Sequence, residues 1–492
     1  MISVAPQVRR ISVAGSLSLS LFLLAGCASY AGLHPEGQLL TTDQLQGAAS
    51  AQTPSTNAWP HEDWWRAYDD PALDALIQQA LVGNPDLQGV AARVRQAAAM
   101  AQGAESTLWP QLGLSTELTR MRLSEHGQFP PPLAGTTQNI NEGRFGAAWE
   151  LDFFGKNRAT FRAALGVARA AEAEQQAARR LLASQVAQGY FELARLVTQG
   201  ALLQREQGVR EAGQQLLADR YKAGLDARSE WEAAQGQLAE VQRDRAALDG
   251  QMMLVRHSLA SLSGQAPQAL DTLLPQLPLP LKTSPALLPE QLPAQLVGRR
   301  ADIVAARWRV EAALQGLEAA RAMFYPDINL RAFVGYSSIG SLDHWLNAGN
   351  RQPGLGLALN LPLFDAGRLR AHYQAQTADT DAAISSYNAT LLQALRDVAD
   401  QQASLQALQT QGEHQQFALT RVQHTFELAQ QRYQSGLTGR LPVLRAESAV
   451  IQQQRLMTDL QVRGLMGRIQ LIRALGGGYE STSSASPSSP TP

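Results

Sequence analysis

The chain has 492 residues, 45% of them apolar and 17% charged, with 42 Lys and Arg against 43 Asp and Glu. A formal charge of −1 offers no electrostatic pull toward nucleic acid or any strongly charged partner, and a single cysteine excludes a disulfide framework. Much of the apolar content is alanine, and glutamine is abundant, a mixture that favours long, closely packed helices.

In chain order, Arg9 and Arg10 precede an uncharged stretch from Ile11 to Ala25. That stretch is shorter than the ~20 residues a membrane-spanning helix needs, so residues 1–26 read as a secretory signal peptide. It ends in Leu24-Ala25-Gly26-Cys27. The tetrad resembles a bacterial lipobox, which implies a covalent lipid on Cys27 and a membrane tether. An ordinary cleaved signal with an incidental cysteine is the competing reading. Residues 27–57 are polar and read as an extended tether. No later apolar run approaches spanning length, so further contact with lipid falls to strands.

Two copies of one unit follow, at 58–265 and 294–478. Arg220-Tyr221-Lys222-Ala223-Gly224-Leu225 recurs as Arg432-Tyr433-Gln434-Ser435-Gly436-Leu437, and Phe154-Gly155-Lys156 recurs as Ala366-Gly367-Arg368. Each copy reads helix, strand, loop, strand, very long helix, tight turn, long helix. Lys156 to Gln265 and Ala366 to Leu441 contain no proline. A helix from Lys156 to Arg220 would be about 100 Å long. In the returning helix Trp231, Ala234, Leu238, Val241, Leu248, Met252, Val255, Leu259 and Leu262 form a coiled-coil seam, interrupted by Arg245. Gly224 and Gly436 are reversal points, with hairpin tips near 221–225 and 433–437.

Four segments alternate strictly with period two: 111–123, 144–154, 327–337 and 354–363. Leu112, Leu114 and Leu118 share one face of the first, and Leu355, Leu357 and Leu359 share one face of the last. About ten residues with alternating apolar positions and aromatics near the ends is the pattern of a transmembrane barrel strand, although a soluble half-buried sheet would alternate too. Four strands cannot close on themselves, since the smallest outer-membrane barrels have about eight, so several copies must share one barrel. The hairpin loops are placed at His126 to Asn141 and Gly340 to Arg351. Between the copies, 266–293 is a proline-rich linker, and 479–492 reads as a disordered Ser/Pro-rich tail.

Trp64-Trp65, Leu73-Asp74-Ala75-Leu76, Asn84-Pro85-Asp86-Leu87, Trp109-Pro110, Tyr325-Pro326, Trp149 to Gly155 and Leu361 to Arg368 occur in this order. With the duplication, the chain resembles a TolC-type outer membrane factor of the lipoprotein-bearing NodT-like branch. The resemblance implies a mixed α and β membrane protein. It would be a homotrimer, with one twelve-stranded transmembrane β-barrel of four strands per protomer continuing into a periplasmic α-helical coiled-coil barrel. It implies residence in the outer membrane among its lipids, and docking to a periplasmic adaptor protein and an inner-membrane pump. The implied role is the channel of a tripartite efflux pump that passively exports drugs or other small toxic compounds. Type I protein secretion is an alternative within the same architecture, and a lipid-anchored coiled-coil scaffold without a pore is one of another class. By the same resemblance Tyr221, Gly224, Leu225, Tyr433, Gly436 and Leu437 contact the adaptor. The acidic position the family has beyond the second tip holds Pro442, which leaves Glu230, Arg445 and Glu447 as gate candidates.

The eight histidines are scattered without ligand spacing, and no nucleophile stands near a base in sequence. The expectation is no enzyme, no metal and no cofactor beyond the lipid.

Overall fold

The structure is a computed structural model that describes residues 29–40, 60–273, 275 and 299–479. The signal peptide, Cys27, most of the tether, most of the linker and the tail lie outside the described residues. The chain divides into two compact units.

The first unit comprises 1–39, 94–170 and 306–387. At its centre is one sheet in the order β1-β2-β3-β4, with β1 at Gln111–Arg122, β2 at Thr137–Glu150, β3 at Asp327–Ile339 and β4 at Arg351–Asn360. Every pair is antiparallel. Within the described residues β1 and β4 each have one neighbour, and with four strands these two edges run in opposite directions. The α-helical segments of this unit join one end of the sheet, while the loops 123–136 and 340–350, the second with two short 3-10 turns, sit at the other.

Two strands are displaced from the sequence expectation. β2 starts at Thr137 and not near 144, so the first hairpin loop is 123–136 and not 126–141. Its ladder continues through Thr137-Gln138-Asn139 against β1 on residues with no apolar alternation. β2 ends at Glu150 because Asp152 leaves the ladder: its carboxylate accepts the amides of Asn157 (3.2 Å) and Arg158 (2.9 Å), capping the following helix. β4 spans Arg351–Asn360 and not 354–363. Pro362 has no amide to give, and Asp365 caps the next helix through the amides of Gly367 (3.0 Å) and Leu369 (2.8 Å).

The second unit comprises 40–93, 171–305 and 388–492. Helix α1 (Pro71–Gly83) is capped by Asp70, which accepts from the amides of Ala72 and Leu73 and from the Tyr190 hydroxyl at 2.7 Å. Asn84 accepts from the Leu87 amide at the start of α2 (Pro85–Ser106) and donates to the Leu262 carbonyl at 2.9 Å. Of these two capping side chains, Asn84 belongs to a quoted motif and Asp70 lies just ahead of one. Trp64, Trp65, Leu73, Ile77, Phe191, Leu259 and Ile469 then close one core.

The long hairpins are copied without a change in length. α3 (Lys156–Lys222) and α6 (Arg368–Gln434) have 67 residues each, and α4 (Arg228–Leu262) and α7 (Arg440–Ala474) have 35 each, while α5 (Ala301–Ala322) precedes β3. Along α4 every named seam residue is buried or half-buried, and Arg245 donates to Gln207 on α3 at 3.1 Å. No described helix is long and apolar enough to cross a membrane.

Candidate functional site

Strand register decides what the sheet can do. Cross-strand partners share a face. The pairs Leu114–Phe145, Phe145–Val334, Leu330–Leu357 and Ile328–Leu359 put the leucines of β1 and β4 on the same face as Phe145, Trp149, Leu330 and Val334. This face is bare: Leu114 is 76% exposed and Leu355 77%. Burying one leucine is worth about 1.5–3 kcal/mol, so an open face this large needs an apolar medium.

The opposite face is polar. Arg144 pairs with Glu142 at 3.0 Å, and at the foot of the sheet Lys156 holds Glu150 (2.5 Å) and Asp327 (3.6 Å). Partial burial disfavours the Lys156 ammonium, but the two carboxylates outweigh that and raise its pKa. Gly354 of β4 has a packing reason on this face. A Cβ on Gly354 would lie 2.3 Å from the Phe333 ring, so the glycine makes room for the one large aromatic set among the polar side chains.

In the second unit both hairpin tips have the same backbone. Gly224 (φ +73°) and Gly436 (φ +70°) end the long helices in the left-handed region. The Leu225 amide bonds to the Arg220 carbonyl and the Leu437 amide to the Arg432 carbonyl, each at 2.8 Å, which is Schellman closure. Tyr221, Leu225, Tyr433 and Leu437 are exposed. The side chains differ. Arg220 clamps Asp226 through two bonds of 2.6 and 2.8 Å, which lowers the Asp226 pKa, and Tyr221 stacks on Trp231 at 5.7 Å. At the matching places the second tip has Thr438 and Val443, so neither contact can form.

The sequence patterns of the outer membrane efflux protein family match residues 76–265 and 292–477. The chain belongs to that family. This outer membrane efflux protein is 34% identical over 472 residues to the multidrug resistance outer membrane protein MdtQ of Escherichia coli, a match covering 94% of this chain and 97% of MdtQ. It is 37% identical over 376 residues to the fusaric acid resistance protein FusA of Burkholderia cepacia, covering 74% of this chain and 70% of FusA. Among solved structures, the outer membrane protein VceC of Vibrio cholerae is 35% identical, with a TM-score of 0.77, over 86% of this chain and all of that one. The outer-membrane channel OprN is 25% identical with a TM-score of 0.79, over 92% and 98%. The efflux protein described here therefore resides in the outer membrane.

The gate candidates are not one cluster. Glu230 sits exposed in the first turn of α4, and Arg445 is exposed on α7 and bonds to neither acidic candidate. Glu447 is held by Arg205 of α3 at 3.0 Å. Arg205 escaped sequence reasoning because the pair spans 242 positions and no local pattern marks it. Among the described residues, no group of three or more His, Cys, Asp and Glu could hold a metal ion.

Proposed function

We propose that three copies of this chain share one twelve-stranded barrel in the outer membrane, continued by their helical hairpins as a periplasmic duct. The duct passively exports drugs or other small toxic compounds received from a periplasmic adaptor and an inner-membrane pump. The observation that carries this reading is the open-edged, four-stranded sheet with one bare apolar face. Its unpaired edges run in opposite directions, so β4 of one copy can pair antiparallel with β1 of the next. The resistance named for MdtQ and FusA supports small-molecule cargo.

In this reading the exposed tip residues Tyr221, Leu225, Tyr433 and Leu437, with the turns at Gly224 and Gly436, dock the adaptor. Arg205–Glu447 is a polar latch between the second hairpin and α3 near its tip, added to the apolar packing of Val209 on Leu444 and Ile451. As a half-exposed pair it is worth about 0.5–1 kcal/mol, enough to shift a gate equilibrium roughly two- to fivefold per copy. Planar-bilayer recording tests both ideas. Purified protein is expected to give channels, and Glu447→Gln to open them more often. A preparation that inserts without conducting, wild type and variant alike, would favour a scaffold, and conduction indifferent to Glu447→Gln would discard the latch.

Cys27 lies outside the described residues, and its lipidation belongs to this proposal. Cys27→Ser is expected to abolish incorporation of labelled palmitate while leaving part of the efflux activity, because the barrel anchors the protein as well. Label retained by the variant would refute the assignment.

A further inference from the structure

The loop 340–350 does not stand away from the sheet. Trp345 lies over Gly143, where a Cβ would meet its ring at 2.7 Å. Gly143 pairs with Thr116 and Tyr336, so the indole rests on the apolar face, leaning over β2 and away from the open edge at β4. Its Nε1 donates to the Tyr336 carbonyl at 3.4 Å. Beneath the loop Asn141, only 1% exposed, donates to the Ser338 hydroxyl and the Gly340 carbonyl. Asn350 ties the loop to itself through the His344 carbonyl at 2.7 Å. The loop is thus pinned onto the apolar face, and it presents Leu342 (54% exposed) and Leu346 (66% exposed) beside the tryptophan.

Two guanidinium groups border the same face at its loop end. Arg351 pairs with Tyr336, which sets it on the apolar face at the start of β4. Arg120 is two residues beyond Leu118 on β1 and shares its face. Both are exposed, and neither has an ion-pair partner among the described residues. Apolar side chains continuous with a lipid-facing surface, bordered by unpaired cations, match an amphiphile with several acyl chains and phosphate on its headgroup.

We propose that this rim binds the phosphorylated glycolipid of the outer leaflet, with acyl chains against Leu342, Trp345 and Leu346 and phosphates on Arg120 and Arg351. The proposal rests on the reading that the apolar face meets lipid. The loop's lean over its own sheet favours lipid over a neighbouring copy as its occupant.

The test uses the full-length protein in mild detergent with diphosphoryl lipid A as the probe. Wild type is expected to bind it, Arg120→Gln with Arg351→Gln to bind roughly tenfold or more weakly, and Arg120→Lys with Arg351→Lys to keep most of the affinity. Leu342→Ser with Leu346→Ser should also weaken binding about tenfold. Inorganic phosphate should not compete. Unchanged affinity in the glutamine variant, full competition by phosphate, or equal affinity for phosphatidylglycerol would each overturn the proposal. So would a leucine variant that keeps lipid A but falls apart into single copies, which would mark the loop as an interface between copies. Should the leucine variant not fold, the arginine pair decides alone. Protein that inserts into phosphatidylcholine vesicles but ignores lipid A refutes only this inference, whereas protein that inserts into no bilayer refutes the barrel itself.

Discussion

Gly436→Pro is expected to leave assembled, outer-membrane-located protein at wild-type levels and to restore no drug resistance to a strain lacking the gene. The backbone at Gly436 has φ +70°, and its amide donates to the Tyr433 carbonyl. Proline fixes φ near −65° and has no amide, so the turn must rebuild. The damage is local, because Leu437 is exposed and the α7 core residues begin beyond it at Leu444. Gly436→Ala keeps the amide and strains the backbone by only about 1–2 kcal/mol, so it should retain most of the resistance. Inhibitory concentrations fixed by the proline variant at the deletion-strain value, at least about tenfold below wild type, would match the adaptor-docking role. Wild-type resistance from that variant would remove the tip from the mechanism, and loss of assembled protein would show that the turn serves folding first.

Leu357→Arg is expected to abolish assembly in the membrane, and Ala358→Arg, one residue along, to be tolerated. Leu357 stands opposite Leu330 on the apolar face, and Ala358 opposite Asn329 on the polar face. An arginine facing lipid at mid-membrane costs about 2–4 kcal/mol, and a barrel of three copies would bear it three times, roughly 6–12 kcal/mol. That is comparable to the whole stability of a typical domain. The contrast between neighbours is the informative part, since both variants add the same charge to the same strand. Extraction from outer membranes followed by trimer detection on a mild gel reads the result. Two variants that behave alike would mean the faces have been assigned the wrong way or do not differ.

The sequence was most informative where one physical rule acts along the chain. Alternation marked the apolar face of each strand, because residues two apart share a face, and the coiled-coil spacing marked Trp231 through Leu262 for the same kind of reason. It misplaced the start of β2, because Thr137 to Glu142 stay in the ladder through backbone bonds that need no apolar pattern. It stretched β2 and β4 past their ends, because Asp152 and Asp365 give up the ladder to cap helices. The tip turns were readable from glycine and the repeated Arg-Tyr motif. Arg205 opposite Glu447 and Trp345 over Gly143 were not, since each contact is made by elements remote in sequence and no spacing rule reaches that far.

The duplicated tips carry one more consequence. In the first, Arg220 and Asp226 brace the reversal while Tyr221 lies flat on Trp231; in the second, threonine and valine stand where those braces would attach. The two bends share one backbone, and only the first is cross-braced by these side chains. A protein that grips both at once would meet one turn splinted by side chains and one closed by its backbone alone, so deforming the second would break fewer contacts.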